Sequence, residues 1–393
     1  MAAIGAAGAA TFATAFDGDA TVTFQWQTDV LKSWSGLEQR VSLLAKPRQS
    51  YAFEALLTEE QQRKLLAQLA LDGPDGSLFY LGLGYESLPI ASATSSTIVC
   101  YDLSLCDWAQ DDQRVVVVAG AEQVETWITS VSSNTLNVND DVTAVASIPG
   151  AFVMPLMGVR LDPQQSLPRY QKERARWRLM AQAERLRFGA DGEPGVGASV
   201  TTYDSLPVWD RIVPIDGTRD ESLMSGVSLV DLGGKIAAVG NYTNADWSRQ
   251  LGIVSQSLAE WQWFKKFLDT VKGQWKTFLL RTYRPDLVAD GNASSGTLTI
   301  DSSAQSYVTS WWPSLAHRRL AIVLDDGSVN YRTVESVSAA GPSEELTLDS
   351  SLSGTIERVE FLETVRLDTD EVAVTFSRGR VFTSRLGAVV VQQ

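Results

Sequence analysis

The chain has 393 residues, of which 44% are hydrophobic, enough for two or three ordinary domains that each bury a core. With 33 basic and 47 acidic residues it carries a formal net charge of −14. This balance argues against a surface that grips nucleic acid, because binding phosphates needs clustered Lys and Arg. It fits a soluble protein, or a wall past which DNA slides without sticking.

Residue types that hold metals and cofactors are scarce. Cys100 and Cys106 form no C-x-x-C pair, so we expect two reduced thiols and no zinc or iron–sulfur site. His317 is the only histidine, which excludes a His-based zinc site. The spacing of a calcium loop is absent from the adjacent carboxylates Asp111-Asp112, Asp140-Asp141 and Asp325-Asp326. We therefore expect no cofactor, no metal and no enzymatic activity.

In chain order, residues 1–19 come first and are mostly small and apolar. They lack the basic start and leucine-rich core of a signal peptide, which indicates an arm that is flexible or docks a partner. No apolar run approaches the ~18 residues that a membrane span needs, so no membrane insertion is expected.

Two long stretches then follow the same order of predicted elements. In the first, strands are followed by a helix that begins with Thr58-Glu-Glu-Gln61 and ends near Leu71, and then by a buried strand. In the second, the helix begins with Ser257-Leu-Ala-Glu260 and ends at Lys272-Gly273. The predicted strands of both stretches are 20–26, 39–44, 51–57 and 78–83, then 235–242, 248–255 and 275–282.

Each stretch continues into a small all-β unit and ends with a strand expected at a sheet edge. The small units are predicted at about residues 97–159 and 296–361, with Asp326-Gly327 as a hairpin turn in the second. The terminal strands are Ala175 to Ala183 and Glu371 to Phe376. A repeat of about 200 residues is too long for a solenoid and indicates two homologous domains. Their bounds are 20–188 and 201–393, joined by a Gly-rich linker at 189–200.

Several runs of sequence resemble one family of proteins. They are Trp26 to Arg40 with its Gly36-Leu-Glu-Gln-Arg40 segment, Pro47 to Phe53, Lys272 to Phe278, and Arg366 to Val374. In this order they resemble the distal tail and tail-tip (baseplate) structural proteins of long-tailed, siphophage-like bacteriophages. The resemblance covers most of the chain as a pattern and includes no single diagnostic motif.

The resemblance implies a mainly β (α+β) fold with two tandem tail-tube-like β-sandwich or barrel domains. Each would have one flanking helix and one inserted small β-barrel. It implies a virion protein, assembled in the host bacterial cytoplasm, that forms a homo-oligomeric ring between the tail tube protein and the hub protein or tail fibres. Phage DNA would pass through the lumen without specific binding during genome ejection. Because three duplicated chains supply six domains, a trimer is favoured over a hexamer.

Five residues are candidates for contacts between subunits or domains. Glu38 and Arg40 follow Gly36 and predict either an ion pair around the ring or a solvated strand end. Trp263 lies on a different helix face from Trp261 and is a candidate interface residue, since Trp is enriched at binding hot spots. Trp311 and Trp312 are adjacent, so at least one is expected to be exposed if the segment is extended.

Two alternatives remain open at this level. Exposed tryptophans could form a carbohydrate platform, which would make the chain a host-adhesion module of the tail. A cell-wall hydrolase is disfavoured, because no carboxylate pair stands out in its surroundings. The basic run from Arg169 to Arg187 is expected to face an acidic neighbouring subunit rather than DNA.

Overall fold

The computed structural model describes most of the chain. The described residues are 2–4, 11–14, 19–33, 37–59, 62–63, 66–67, 70, 78–120, 122–162, 169–171, 174–185, 194–195, 197–211, 222–224, 227–231, 236–240, 246–291, 296–340, 342–377 and 381–391. They are mostly in β-strands, so the prediction of a mainly β fold is confirmed.

Residues 2–185 are called half 1. Its elements are β1 (Ala2–Ile4), β2 (Thr11–Thr14), β3 (Ala20–Gln25), β4 (Thr28–Lys32), β5 (Glu38–Ser42), β6 (Arg48–Thr58), β7 (Phe79–Gly82), the 3-10 helix η1 (Gly84–Glu86), β8 (Leu88–Ala93), β9 (Thr97–Cys100), β10 (Arg114–Ala119), β11 (Glu122–Ser132), β12 (Thr135–Val138), α1 (Thr143–Ala146), β13 (Phe152–Leu161), β14 (Arg169–Gln171) and β15 (Arg174–Ala183). Between β6 and β7, the described residues 59, 62, 63, 66, 67 and 70 are helical and are called the first helix.

Residues 202–391 are called half 2. Its elements are β16 (Thr202–Tyr203), β17 (Leu206–Trp209), β18 (Ser222–Met224), β19 (Val227–Asp231), β20 (Ile236–Gly240), β21 (Asp246–Ser255), α2 (Leu258–Val271), β22 (Phe278–Arg281), β23 (Thr297–Asp301), α3 (Tyr307–Ser310), the 3-10 helix η2 (Leu315–His317), β24 (Arg319–Leu324), β25 (Val329–Ala340), β26 (Ser343–Leu348), β27 (Ile356–Leu367), β28 (Glu371–Ser377) and β29 (Val381–Val390).

The large sheets of the two halves have the same pairing order. In half 1, β7 pairs with β2 in parallel and with β13 antiparallel, β13 pairs with β15, and β15 pairs with β6 and β14. In half 2, β22 pairs with β17 in parallel and with β27 antiparallel, β27 pairs with β29, and β29 pairs with β21 and β28. The strands β3 and β18 pair with β6 and β21, and a hairpin (β4–β5 or β19–β20) follows each.

In the small β-units, strands β9 to β13 and β23 to β27 pair in the same way. Strand β8, which pairs with β9 and β13, is matched in half 2 only by isolated bridges from Leu287 and Ala289. Small unit 1 pairs β10 with β11 and β13, and β12 with β9 and β11. Small unit 2 pairs β24 with β25 and β27, and β26 with β23 and β25. A register shift falls between Ile128 and Ser130 in β11, and between Val334 and Ser336 at the corresponding place in β25. Each small unit has its own apolar core.

The two halves join along one strand pair and share one core. Strand β28 pairs antiparallel with β3, from Glu371 opposite Gln25 to Phe376 opposite Ala20. Both strands alternate polar and apolar residues, so one face of each turns inward. The core below contains Phe24, Phe79 and Leu179 from half 1 and Phe264, Phe278 and Phe382 from half 2. The halves are therefore packed together as one body, while their predicted bounds as domains stay a prediction.

This junction corrects the expected positions of two strands. Residues 175–183 and 371–376 were expected at sheet edges. Instead β15 lies between β6 and β13, and β28 lies between β3 and β29. The sequence contains no sign of the β28–β3 pairing, because the two strands are more than 340 residues apart.

Two connecting segments also differ from expectation. Of the predicted N-terminal arm, the described strands form a hairpin that adds to the main sheet, with Phe12 opposite Leu81. Of the predicted linker, residues 189–193 and 196 lie outside the described residues. Gly195, with φ +71°, passes so close to α2 that a Cβ there would lie 2.6 Å from the Gln262 carbonyl oxygen. Only glycine fits this approach.

Helix α2 begins and ends where the sequence predicts. The Ser257 hydroxyl accepts a hydrogen bond from the Ala259 N–H (3.2 Å), and Lys272 and Gly273 end the helix with φ of +53° and +65°. Glu260 does not bond back to the Ser257 N–H, as it would in a capping box. It accepts a bond from the Arg211 guanidinium, and the Ser257 N–H donates to Ser255 Oγ. In the first helix, Leu66 is 46% exposed. Leu65 and Leu69 lie outside the described residues.

Candidate assembly interface

The contact between the halves is the best-defined candidate site. Helix α2 of half 2 lies against η1 and the β9–β10 loop of half 1. The Trp261 ring meets Tyr85 edge-on (6.0 Å between centroids) and lies 6.2 Å from Phe24, while Tyr85 stacks on Phe376 at 4.0 Å. Aromatic rings from both halves thus form one buried cluster. Their edge-on and stacked arrangement stabilises the contact in addition to the burial of apolar area.

A buried cluster of charges lies beside these rings. The Lys265 ammonium lies 2.5 Å from Asp107 Oδ2 and 2.9 Å from Glu86 Oε1, and the side chains of all three residues are at most 1% exposed. Trp261 Nε1 donates a second hydrogen bond to Glu86 Oε1 (3.0 Å). The cation comes from half 2 and both carboxylates from half 1. An ion pair of this kind costs desolvation but becomes strongly destabilising when one partner is removed.

Burial and mutual charge shift the pKa values in this cluster. Burial lowers the pKa of Lys265, but the charges of Asp107 and Glu86 outweigh it, so the Lys265 pKa is raised. Burial also raises the pKa of Asp107, as does the charge of Glu86; Lys265 opposes both, and the result is a pKa of about 6. The ammonium therefore stays charged while Asp107 titrates at mildly acidic pH.

Glu38 lies in a second contact between the halves. Its carboxylate accepts two hydrogen bonds from the guanidinium of Arg366 on β27, at 2.8 and 3.0 Å. Burial acts to raise the pKa of Glu38, but the bond to Arg366 and its charge reverse this, so the pKa is lowered. Glu38 is therefore not a solvated strand end. Its partner is an arginine of the other half and not Arg40, whose half-buried guanidinium has a pKa lowered by burial.

The hairpin that carries Glu38 exposes apolar side chains on its remaining surface. Leu31 is 65% exposed and Leu37 is 58% exposed, and Val41 and Leu43 are each 47% exposed. Four exposed aliphatic side chains on one hairpin are more than scattered surface residues and are typical of a contact surface.

Trp263 lies in the core and is not a surface residue, which corrects its interpretation as an interface candidate. It is 2% exposed, meets Trp209 edge-on at 5.3 Å and stacks on Phe267 at 5.4 Å, with the Arg211 guanidinium 4.3 Å from its ring. Helix α2 is covered on several faces, so the rule that one face is buried does not apply to it.

Trp311 and Trp312 lie on small unit 2 and are half-buried. They sit in a turn after α3 rather than in an extended segment. Trp311 packs 5.1 Å from Phe361 and 4.7 Å from His317, and the Arg318 guanidinium lies 4.0 Å from the Trp312 ring. Leu315, in the following 3-10 helix, is 56% exposed, so this face of small unit 2 has both apolar and aromatic surface.

Other residues singled out in the sequence have local roles. Asp326 Oδ1 accepts a hydrogen bond from the Ser328 N–H (2.8 Å) and Gly327 has φ +82°, which confirms the hairpin turn. Asp141 caps the N–H of Thr143. Cys100 and Cys106 are buried and free, and burial raises the pKa of Cys100 to about 12. Within the described ranges, no three His, Cys, Asp or Glu residues group as metal ligands.

Sequence reasoning missed Lys265, Glu86 and Asp107. One signal was available: Lys265 follows Trp261 by four residues and precedes Leu268 by three, so it lies on the apolar face of α2. A lysine in that position needs a buried carboxylate. Which carboxylate it meets depends on the pairing of the halves and is not visible in the sequence.

None of the helices in the described part of the chain is long and apolar enough to cross a membrane. The comparisons with known proteins add no relative: no protein-family model matches the chain, and no curated protein matches it.

Proposed function

We propose that this chain is a structural protein of a bacteriophage tail tip, which forms a ring between the tail tube and the hub or tail fibres and lines the DNA channel. The proposal rests on the resemblance of Gly36 to Arg40, Lys272 to Phe278 and Arg366 to Val374 to that family. It assigns no catalytic residue. The chain contributes shape and cohesion, and its partners are further copies of itself and the neighbouring tail proteins.

One observation supports the ring most directly. The two halves have the same pairing order, and they lie side by side through the edge pairing of β28 with β3. Two equivalent units joined by unlike edges form a head-to-tail contact, and repeating such a contact generates either a closed ring or an open helix. In a ring built this way, one chain would supply two consecutive units.

The duplication favours a trimer over a hexamer. Three chains would provide six units, enough to continue a sixfold tube while leaving true threefold symmetry for the tip. Six chains would provide twelve units, of which half would lie outside the ring. The charge of −14 per chain suits a wall that does not bind DNA, because phosphates and acidic residues repel each other.

The test is the mass of the purified full-length protein by native mass spectrometry, together with its location in particles. We expect three copies per assembly, a ring with a central opening by electron microscopy, and labelling at the tail tip. A protein that stays monomeric at every concentration and is absent from purified particles would contradict the proposal. Six copies would retain the ring and reject the trimer.

A further inference from the structure

The contact between the halves uses two strand edges that each have a counterpart in the other half. Strand β28 of half 2 joins β3 of half 1. By the shared pairing order, the counterpart of β28 is β14, which pairs with β15, and the counterpart of β3 is β18, which pairs with β21. Among the described strands, β14 pairs with β15 alone and β18 pairs with β21 alone. Within the described residues, no second strand therefore pairs with the half 1 edge at β14 or the half 2 edge at β18.

The helices repeat the same relation. Helix α2 of half 2 packs on the Tyr85-Glu86 turn and on Asp107, in half 1. Asp107 precedes β10 by seven residues, and Trp312 precedes β24 by seven residues. By its distance from the following strand, Trp312 on small unit 2 matches the residue that receives α2. No helix packs on it from another element within the described residues.

The first helix carries a side chain suited to that position. Lys265 lies eight residues after the capping residue Ser257, and Leu66 lies eight residues after Thr58. Leu66 is 46% exposed, while Lys265 is fully buried. The charged pair Lys265–Asp107 of the contact within the chain thus corresponds to the apolar pair Leu66–Trp312, and exposed Leu315 lies three residues beyond Trp312. An apolar pair suits a contact that forms between separate copies, because no charged group has to lose its water when the copies associate.

We propose that the first helix of one copy docks, through Leu66, on the Trp312–Leu315 face of small unit 2 of a second copy, and that β14 of the first pairs with β18 of the second. This contact repeats, between chains, the contact that joins the halves within a chain. It rests on the proposed ring and specifies which surfaces close it.

The test is crosslinking between two differently marked copies of the full-length protein. One copy carries Leu66→Cys, the other carries Leu315→Cys, and the native cysteines are buried. After mixing and mild oxidation we expect disulfide-linked dimers that contain one copy of each. The control mixes Leu315→Cys with Tyr101→Cys, a residue that is 69% exposed but lies outside the proposed contact, and should give at least tenfold less product.

A second variant measures the strength of the contact. Leu66→Asp should weaken association at least tenfold by sedimentation, while circular dichroism and thermal unfolding of the monomer stay unchanged because residue 66 is exposed. An assembly that forms normally with Leu66→Asp, and that gives no Leu66–Leu315 crosslink, would overturn this contact and leave the ring intact. A wild-type chain that never assembles would overturn the ring itself.

Discussion

At the scale of residues, the buried cation Lys265 joins the two halves. It binds Glu86 Oε1 and Asp107 Oδ2, which belong to the other half and are shielded from water. Replacing it by an apolar residue of similar length leaves two carboxylates in an apolar environment. The structure therefore predicts a large effect from this one position.

Lys265→Met is expected to lower the free energy of unfolding by about 3–5 kcal/mol, the usual loss when one partner of a buried ion pair is removed. The matched control is Lys266→Met, which changes the adjacent, partly exposed lysine of the same helix. Urea unfolding followed by tryptophan fluorescence measures both. Equal losses for the two variants would show that the cluster contributes nothing specific.

Asp107 makes stability depend on pH in a direction opposite to that of most carboxylates. Its pKa in the folded protein, about 6, lies above the ordinary value of 3.8. The folded state therefore binds the proton more tightly, and this group's contribution is greatest at low pH and is lost as the pH rises toward 6. Asp107→Asn removes the titration. The stability of the variant relative to wild type should thus increase between pH 4 and pH 7, by on the order of 3 kcal/mol.

The control for that measurement is Asp141→Asn, because Asp141 is exposed and its pKa is lowered by its bonds to Thr143. The free energy of unfolding of Asp141→Asn relative to wild type should change in the opposite direction, or not at all, between pH 4 and pH 7. If the free energies of unfolding of Asp107→Asn and wild type differ by the same amount at every pH, Asp107 does not titrate near pH 6.

Residue roles could be predicted from sequence only where they depend on near neighbours. The cap at Ser257, the stop at Lys272-Gly273 and the turn at Asp326-Gly327 each involve contacts within a few residues. Trp263 was assigned to an interface because helical periodicity does not reveal how many faces of a helix are covered. Its burial depends on Trp209, which is 54 residues away in sequence.

At the scale of elements, β27 connects the parts of half 2 and reaches half 1. Its buried carboxylates Glu360 and Glu363 bind Arg281 on β22 and Arg249 on β21, each through two hydrogen bonds of 2.8–3.0 Å. Near its end, Arg366 binds Glu38 of the β4–β5 hairpin. Two-bond pairs with fixed geometry define orientation as well as stability.

Glu38→Gln is expected to loosen the hairpin without unfolding the chain, because the amide cannot match the charged two-bond pairing. The free energy needed to open the hairpin should fall by about 2–3 kcal/mol, and this is measured as faster hydrogen exchange of the backbone amides in residues 28–42. Glu54→Gln, which breaks the exposed pair with Arg178, is the control and should leave that exchange unchanged. Wild type should itself lose this contribution below about pH 4.5, since the Glu38 pKa is lowered in the folded state. Unchanged exchange in Glu38→Gln would show that Arg366 does not hold the hairpin.

Elements with strong local patterns were predicted well, and their neighbours were not. Alternation of polar and apolar residues locates β3 and β21 to within a few residues. The positions of β15 and β28 inside the sheet depend on strands from distant parts of the chain, and a pattern of alternation does not distinguish an edge from an interior strand when one face is exposed in both.

At the scale of the whole molecule, net charge and contact chemistry act in opposite directions on assembly. Three chains carry a formal charge of 3 × −14 = −42, so copies repel one another at low salt. The proposed contact between copies is apolar at Leu66, Trp312 and Leu315. Added salt screens the repulsion, over about 10 Å at 0.1 M and about 3 Å at 1 M, without weakening apolar burial.

Raising the salt from about 0.05 to about 0.5 M should therefore strengthen assembly several-fold, measured as the monomer fraction in sedimentation runs at fixed protein concentration. The basic run from Arg169 to Arg187 allows the opposite outcome, because an ionic contact with an acidic neighbour would weaken in salt. Within the chain Arg178 already pairs with Glu54, which reduces the positive charge that this strand can offer to another copy. Assembly that weakens steadily with salt would assign the contact to the basic strand; assembly that strengthens would leave apolar surface as its main component.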